Sequence, residues 1–127
     1  MDGMLDNSEQ KESVIKTGIF LTEQRAQDVT VIDLKGKSSI ADYFIIATVT
    51  SYAQLKGLVK NVQDFFHTED IYCKSGGKHL SEDVWTLLDC DYFIVHFMTK
   101  EAREFYALER LWFEGEKLEL PQVGGNL

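Results

Sequence analysis

Two cysteines are all the sulfhydryl chemistry this 127-residue chain has. Cys73 and Cys90 form no Cys-x-x-Cys pair and neither has an adjacent histidine; the one basic neighbour is Lys74, next to Cys73. A disulfide framework and a thiolate metal site are therefore not expected, and so little cysteine suits a reducing, intracellular setting. Long apolar runs are missing too. Nothing approaches the ~18 residues of a membrane-spanning helix, and the mixed-charge start, Met1 to Glu12, has no signal-peptide pattern. The expected compartment is the cytoplasm. Basic charge is also in short supply, with 13 Lys and Arg against 21 Asp and Glu, a net charge of −8. Direct, sequence-specific nucleic-acid binding normally rests on cations facing phosphates, so it is not expected. The acidity fits a basic protein partner, or it serves solubility alone.

What is present is one domain's worth of ordinary globular sequence, 44% hydrophobic and 27% charged. Neither repeats nor low-complexity blocks interrupt it. Residues 1–13 and 119–127, the latter with Pro121 and Gly124-Gly125, read as flexible tails around a single domain over 14–118. A helix is expected from Ser13 to about Ala26, with Ile15, Ile19 and Phe20 on one side. Val29–Leu34 reads as a strand, and Tyr43–Val49 as a central strand covered on both faces. Ser51 and Gln54 have the form of a capping box ahead of Leu55, Leu58, Val59, Val62, Phe65 and Phe66 at helical spacing. Ile71–Lys74 is expected to be a short strand, followed by a loop over 75–81. Val84–Leu88 and Tyr92–Met98 predict a hairpin about Asp89-Cys90-Asp91. Thr99 is the expected N-cap of a last helix running through Trp112. The fold class is thus α/β (α+β), a mixed sheet of about five strands flanked by helices.

Catalytic motifs are poorly supported. Gly36-Lys37-Ser38 has the ending of a phosphate-binding loop, but the glycine required five residues earlier is Val31. Asp89 and Asp91 could serve a nucleotide-dependent transferase, yet no basic cluster accompanies them, and aspartates are ordinary turn residues. His67, His79 and His96 have no metal-ligand spacing. His96, on the strand face of Tyr92, Ile94 and Met98, reads as a half-buried framework residue. The last helix is more informative. Ala102, Phe105, Tyr106, Leu108, Leu111 and Trp112 spread over more than half of its circumference, wider than packing on one sheet requires. That surplus is either a partner surface or a filled corner of the core.

Four segments taken in order resemble the ribosomal silencing factor (RsfS, Iojap) family. They are Asp33-Leu34-Lys-Gly-Lys-Ser-Ser-Ile-Ala-Asp42-Tyr43-Phe44, Val84-Trp85-Thr-Leu-Leu-Asp89, Ile94-Val95-His96, and Arg103-Glu-Phe-Tyr106-Ala-Leu108-Glu109-Arg-Leu111-Trp112. The chain departs from the family pattern at Thr48-Val49-Thr50-Ser51, at Ser75-Gly76 and at Asp91-Tyr92. The resemblance implies a nucleotidyltransferase-like fold without the active site, and a ribosome-associated protein that is not an enzyme and uses no cofactor or metal. It implies binding to large-subunit ribosomal protein fourteen, which would block joining of the ribosomal subunits and lower translation. Assembly of the large subunit is the alternative role, and a homodimer is implied for the free protein. On this reading Trp85, Arg103, Tyr106, Leu108, Glu109, Leu111 and Trp112 make the contact. Arg103 and Glu109 orient it by charge, while Asp42, Asp89 and His96 are secondary interface or framework residues.

Overall fold

The structure, a computed structural model, describes residues 6–74, 78–81 (by their backbone), 84–107, 110 and 115–121. In chain order the elements are α1 (Asn7–Glu23), β1 (Gln27–Asp33), β2 (Tyr43–Val49), α2 (Tyr52–Thr68), β3 (Lys78–Ser81), β4 (Trp85–Asp89), β5 (Phe93–Thr99), α3 (Lys100–Tyr106) and β6 (Glu116–Leu118). The strands form one six-stranded mixed sheet in the order β3-β4-β5-β2-β1-β6. Only the central β2–β5 pair is parallel, and α2 lies in the long connection that parallel neighbours require.

β2 is buried along its whole length and β5 along all but its last residue, which is why both read as uninterrupted apolar runs. Their alternating side chains feed two cores. Tyr43, Ile45, Ala47, Phe93, Val95 and Phe97 meet Val14 and Leu21 of α1 and Leu55, Leu58, Val62 and Phe66 of α2. On the opposite face, Phe44, Ile46, Ile94 and Met98 pack with Ile32, Leu34 and Ala102 of α3.

Helix boundaries correct the sequence reading at several points. α1 begins at Asn7, not Ser13, because Asp6 and Glu9 form a reciprocal capping box: Glu9 N–H donates to Asp6 Oδ1 at 2.8 Å and Asp6 N–H to Glu9 Oε1 at 3.1 Å. The polar segment expected to be a loose tail is thus the exposed start of a helix. α1 stops three residues short of Ala26 at a Schellman turn: Arg25 adopts φ 72°, Ala26 N–H donates to Leu21 O, and Arg25 N–H donates to Thr22 O. α2 ends the same way, with Asp70 at φ 58° and Ile71 N–H on Phe66 O. Ile71 is consumed by that cap, so Ile71–Lys74 is not a strand; the strand lies at Lys78–Ser81, within the expected loop.

β6 brings the sheet to six strands rather than about five. Its short polar sequence carries no strand signal, and pairing with β1 (Val31 opposite Leu118, Asp33 opposite Glu116) creates it. Just beyond, Leu120 lies over Gly18 of α1, at 3.1 Å from where a Cβ would stand. This part of the presumed C-terminal tail is therefore packed. α3 ends at Tyr106, with Ala107 at φ 48°; of the expected continuation through Trp112 only Arg110 is among the described residues, and it is again helical. No residue near Ala107 carries a recognisable stop signal, and Leu108, Leu111 and Trp112 of the apolar arc lie outside the described residues.

Candidate partner-binding face

β4 starts at Trp85, which pairs with Met98 of β5, so Trp85 stands diagonally across from His96. The indole Nε1–H donates to His96 Nδ1 at 3.0 Å. Indole can only donate, so the accepting imidazole nitrogen is unprotonated and the ring proton resides on Nε2. Nε2 is buried and has no hydrogen-bond partner among the described residues. Burial pushes the His96 pKa down to about 4, which keeps the ring neutral at physiological pH. His96 is 4% exposed, a core residue rather than the half-buried one expected. Its presumed face-mate Tyr92 lies before β5 and packs with the other core.

An aromatic file runs outward from this pair. Phe44 and His96 have ring centroids 4.7 Å apart, Trp85 and His96 5.9 Å, Trp85 and Tyr106 4.7 Å, and Tyr106 meets Phe105 edge-on at 5.0 Å. Exposure climbs along it from 2% at Phe44 to 40% at Tyr106 and 81% at Phe105. The inner rings fix the outer ones, giving a solvent-facing aromatic end on a rigid base. Large, preorganised apolar area at low entropic cost is what protein interfaces use as anchors.

Arg103 departs from its expected role. Its side chain is turned inward, with Nη1 donating to Asp28 O at 2.6 Å and to Thr48 Oγ1 at 2.8 Å, and Nη2 to Thr30 Oγ1 at 2.6 Å. β1 carries a bulge between Gln27 and Thr30, and Asp28 at φ 46° lies within it. The guanidinium thus fastens α3, which carries Phe105 and Tyr106, onto β1 and β2. The charge expected to orient a partner is thus engaged within the fold.

Asp89 is likewise engaged within the fold: Oδ1 accepts from Asp91 N–H at 3.0 Å and Oδ2 pairs with Lys74 Nζ at 3.4 Å. Asp91, at φ 73°, completes the turn. This is the turn chemistry that competes with the transferase reading. Asp42 secures the approach to β2 through its backbone, accepting from Leu34 N–H at 2.7 Å and donating to Tyr92 O at 2.8 Å. Trp85 and Tyr106 are brought into contact as two members of the predicted set, whereas Leu108, Glu109, Leu111 and Trp112 lie outside the described residues. A separate open basin of about 710 Å³, lined by Lys100, Arg103, Arg110 and Lys117 along with Asp28 and Glu104, shares no aromatic residue with the file. Among the described residues no group of three or more His, Cys, Asp or Glu side chains is placed to hold a metal ion. Phe105 was legible only as one residue of the wide apolar arc. Its prominence comes from Arg103 and Ala102, neighbours on α3 that both point inward.

The model of the family described as "Ribosomal silencing factor during starvation" matches residues 7–126. The ribosomal silencing factor RsfS of Zymomonas mobilis is 36% identical over 101 residues, covering 80% of this chain and 75% of that protein. RsfS of Treponema pallidum is 36% identical over 93 residues, covering 72% and 82%. The mouse protein named "Mitochondrial assembly of ribosomal large subunit protein 1" is 34% identical over 97 residues, 73% of this chain and 42% of that protein. Among solved structures, a Chromobacterium violaceum protein superposes with a TM-score of 0.72 at 23% identity, covering 96% of this chain and 95% of its own, which bears on the fold alone. A family match across nearly the whole chain, with relatives above a third identical, establishes that this protein belongs to the ribosomal silencing factor family.

Proposed function

We propose that this protein is a ribosome-associated regulator that docks on the large ribosomal subunit through large-subunit ribosomal protein fourteen. Occupancy of that surface excludes the small subunit and lowers translation, with no catalytic step and no cofactor. The observation that carries this reading is the exposed end of the aromatic file, Tyr106 and Phe105, braced by Trp85 and by the inward-turned Arg103. Leu108, Glu109, Leu111 and Trp112 extend the contact, the apolar side chains as area and Glu109 at its rim. The net charge of −8 favours a basic protein over RNA phosphates as the surface touched. In the absence of ribosomes, two copies cover their aromatic ends against each other as a homodimer.

Sedimentation of purified subunits through a sucrose gradient with added protein tests this. Co-migration with the large subunit and loss of joined ribosomes are expected. Co-migration with the small subunit, or normal joining at saturating occupancy, would refute it. The mouse relative's name motivates a second reading, a role in assembling the large subunit from the same surface. Accumulation of immature large subunits in cells lacking the protein would favour that role.

A further inference from the structure

The only two cysteines of the chain, 17 positions apart, come together in the fold. The cap of α2 delivers the chain from Ile71 alongside the end of β4, where Lys74 N–H donates to Asp89 O at 3.0 Å and Lys74 Nζ pairs with Asp89 Oδ2. A few residues later the same stretch becomes β3, antiparallel to β4. With Lys74 beside Asp89 in antiparallel chains, the next facing pair is Cys73 and Cys90. Cys90 N–H is turned the other way, onto Phe93 O, so this is a non-hydrogen-bonded pair. Such pairs bring Cα atoms to about 4.5 Å, inside the roughly 4.4–6.8 Å span of a disulfide. Both side chains face the α1/α2 core, and Cys73 Sγ–H donates to Lys74 O at 3.4 Å.

We propose that Cys73 and Cys90 form a site of reversible oxidation, closing to an intramolecular disulfide in response to a hydroperoxide. The two sulfurs differ in the way such a pair requires. Cys90 is fully buried, while Cys73 is partly exposed and lines an open cavity of about 190 Å³ with Gln63, His67 and Lys74, through which a small peroxide reaches it. The neighbouring Cys90 thiol draws Cys73 below its ordinary pKa, while Cys73 and burial raise Cys90. Cys73 is therefore the attacked sulfur and Cys90 the resolving one. The Cys73 sulfur attacks the terminal oxygen of the hydroperoxide and the O–O bond breaks. The other oxygen leaves with the thiol proton as water (from hydrogen peroxide) or an alcohol, and a sulfenic acid remains. The Cys90 sulfur then attacks the Cys73 sulfur, and the S–O bond breaks. The hydroxyl departs with the Cys90 proton as water while the S–S bond forms. The thiols give up two electrons and the peroxide takes them. The product ties the end of α2 to the β4–β5 hairpin and encloses β3 and β4 in one covalent loop.

The test is peroxide treatment of the full chain at stoichiometric ratio, followed by thiol titration and peptide mapping. Both thiols should disappear together, a Cys73–Cys90 linked peptide should appear, and dithiothreitol should restore the free thiols. The oxidised protein should melt about 5 °C or more above the reduced one, as expected for a native cross-link over a loop of this size. In Cys90→Ala, a sulfenic acid trappable by dimedone should accumulate at Cys73, whereas Cys73→Ser should leave Cys90 unreactive. Oxidation of wild-type Cys73 to sulfinic or sulfonic acid with Cys90 still free would overturn the proposal. So would disulfides formed only between chains. Mapping on the wild-type chain decides the matter even if a variant fails to fold.

Discussion

Trp85 and His96, eleven residues apart, share the indole proton: Nε1–H points at imidazole Nδ1 at 3.0 Å from diagonal positions on paired strands. This single bond joins the second core to the exposed aromatic rings. Trp85→Phe keeps most of the ring area but strips His96 of its donor, leaving a buried polar atom unsatisfied. A loss of about 1–3 kcal/mol is expected in urea unfolding at pH 7. A cost no larger than that of an ordinary conservative core swap would mean that the bond contributes little.

The same histidine makes stability depend on pH. Its pKa is about 4 in the folded state against an ordinary 6.5, so between these values the unfolded chain binds a proton that the folded one does not. The folded state's advantage is complete above pH 6.5 and shrinks as pH falls toward 4, by about 3 kcal/mol across the window. Urea midpoints measured at pH 7 and pH 4.5 should fall more steeply for wild type than for His96→Gln. Equal slopes would show that His96 is not the group responsible.

Arg103→Ala removes the guanidinium hydrogen bonds to Asp28 O, Thr48 Oγ1 and Thr30 Oγ1. A destabilisation on the order of 3 kcal/mol is expected. Arg103→Lys should recover little of it, because an ammonium cannot span acceptors on two strands as a planar fork does. Near-normal stability of Arg103→Ala would place this arginine back among the partner-contacting residues.

Phe105→Ala and Tyr106→Ala separate binding from folding. Phe105 is 81% exposed, so its truncation should leave thermal stability nearly unchanged. Both variants should weaken binding to isolated large subunits by roughly 10-fold or more if these rings are central anchors. Glu109→Ala should have a smaller effect, greatest at low salt. Subunit joining should recover in proportion to lost occupancy. A variant that binds fully yet fails to block joining would refute steric exclusion.

Gly115→Ala probes the close approach of the C-terminal segment to the sheet. A Cβ there would stand 2.6 Å from Ile32 Cγ2 and 2.8 Å from Leu34 Cδ2, with Asp33 O at 3.0 Å. The backbone oxygen cannot yield as a side chain does, so β6 must shift from β1. A loss of about 1–3 kcal/mol is expected in thermal unfolding.

The sequence alone settled the elements whose residues carry their own signal. β2 is apolar on both faces because it is the covered centre of the sheet. α2 has its Ser51 cap and helical spacing, and Gln54 reaches back one residue further than a simple capping box, to Thr50 N–H. The hairpin turn has its aspartates, and the family follows from four short segments in order. Tertiary structure decided whatever depends on a distant partner. β6 is a strand only because β1 offers it an edge, and Ile71 is not one because α2 claims its N–H. The direction of Arg103 could not be read from α3, since an exposed, charged arginine and a buried, clamped one have the same helical spacing. Its acceptors lie 55 to 75 residues away, on β2 and on a bulge of β1 that no local pattern announced. Cys73 and Cys90 looked inert for the same reason: proximity in space, not in sequence, creates their chemistry.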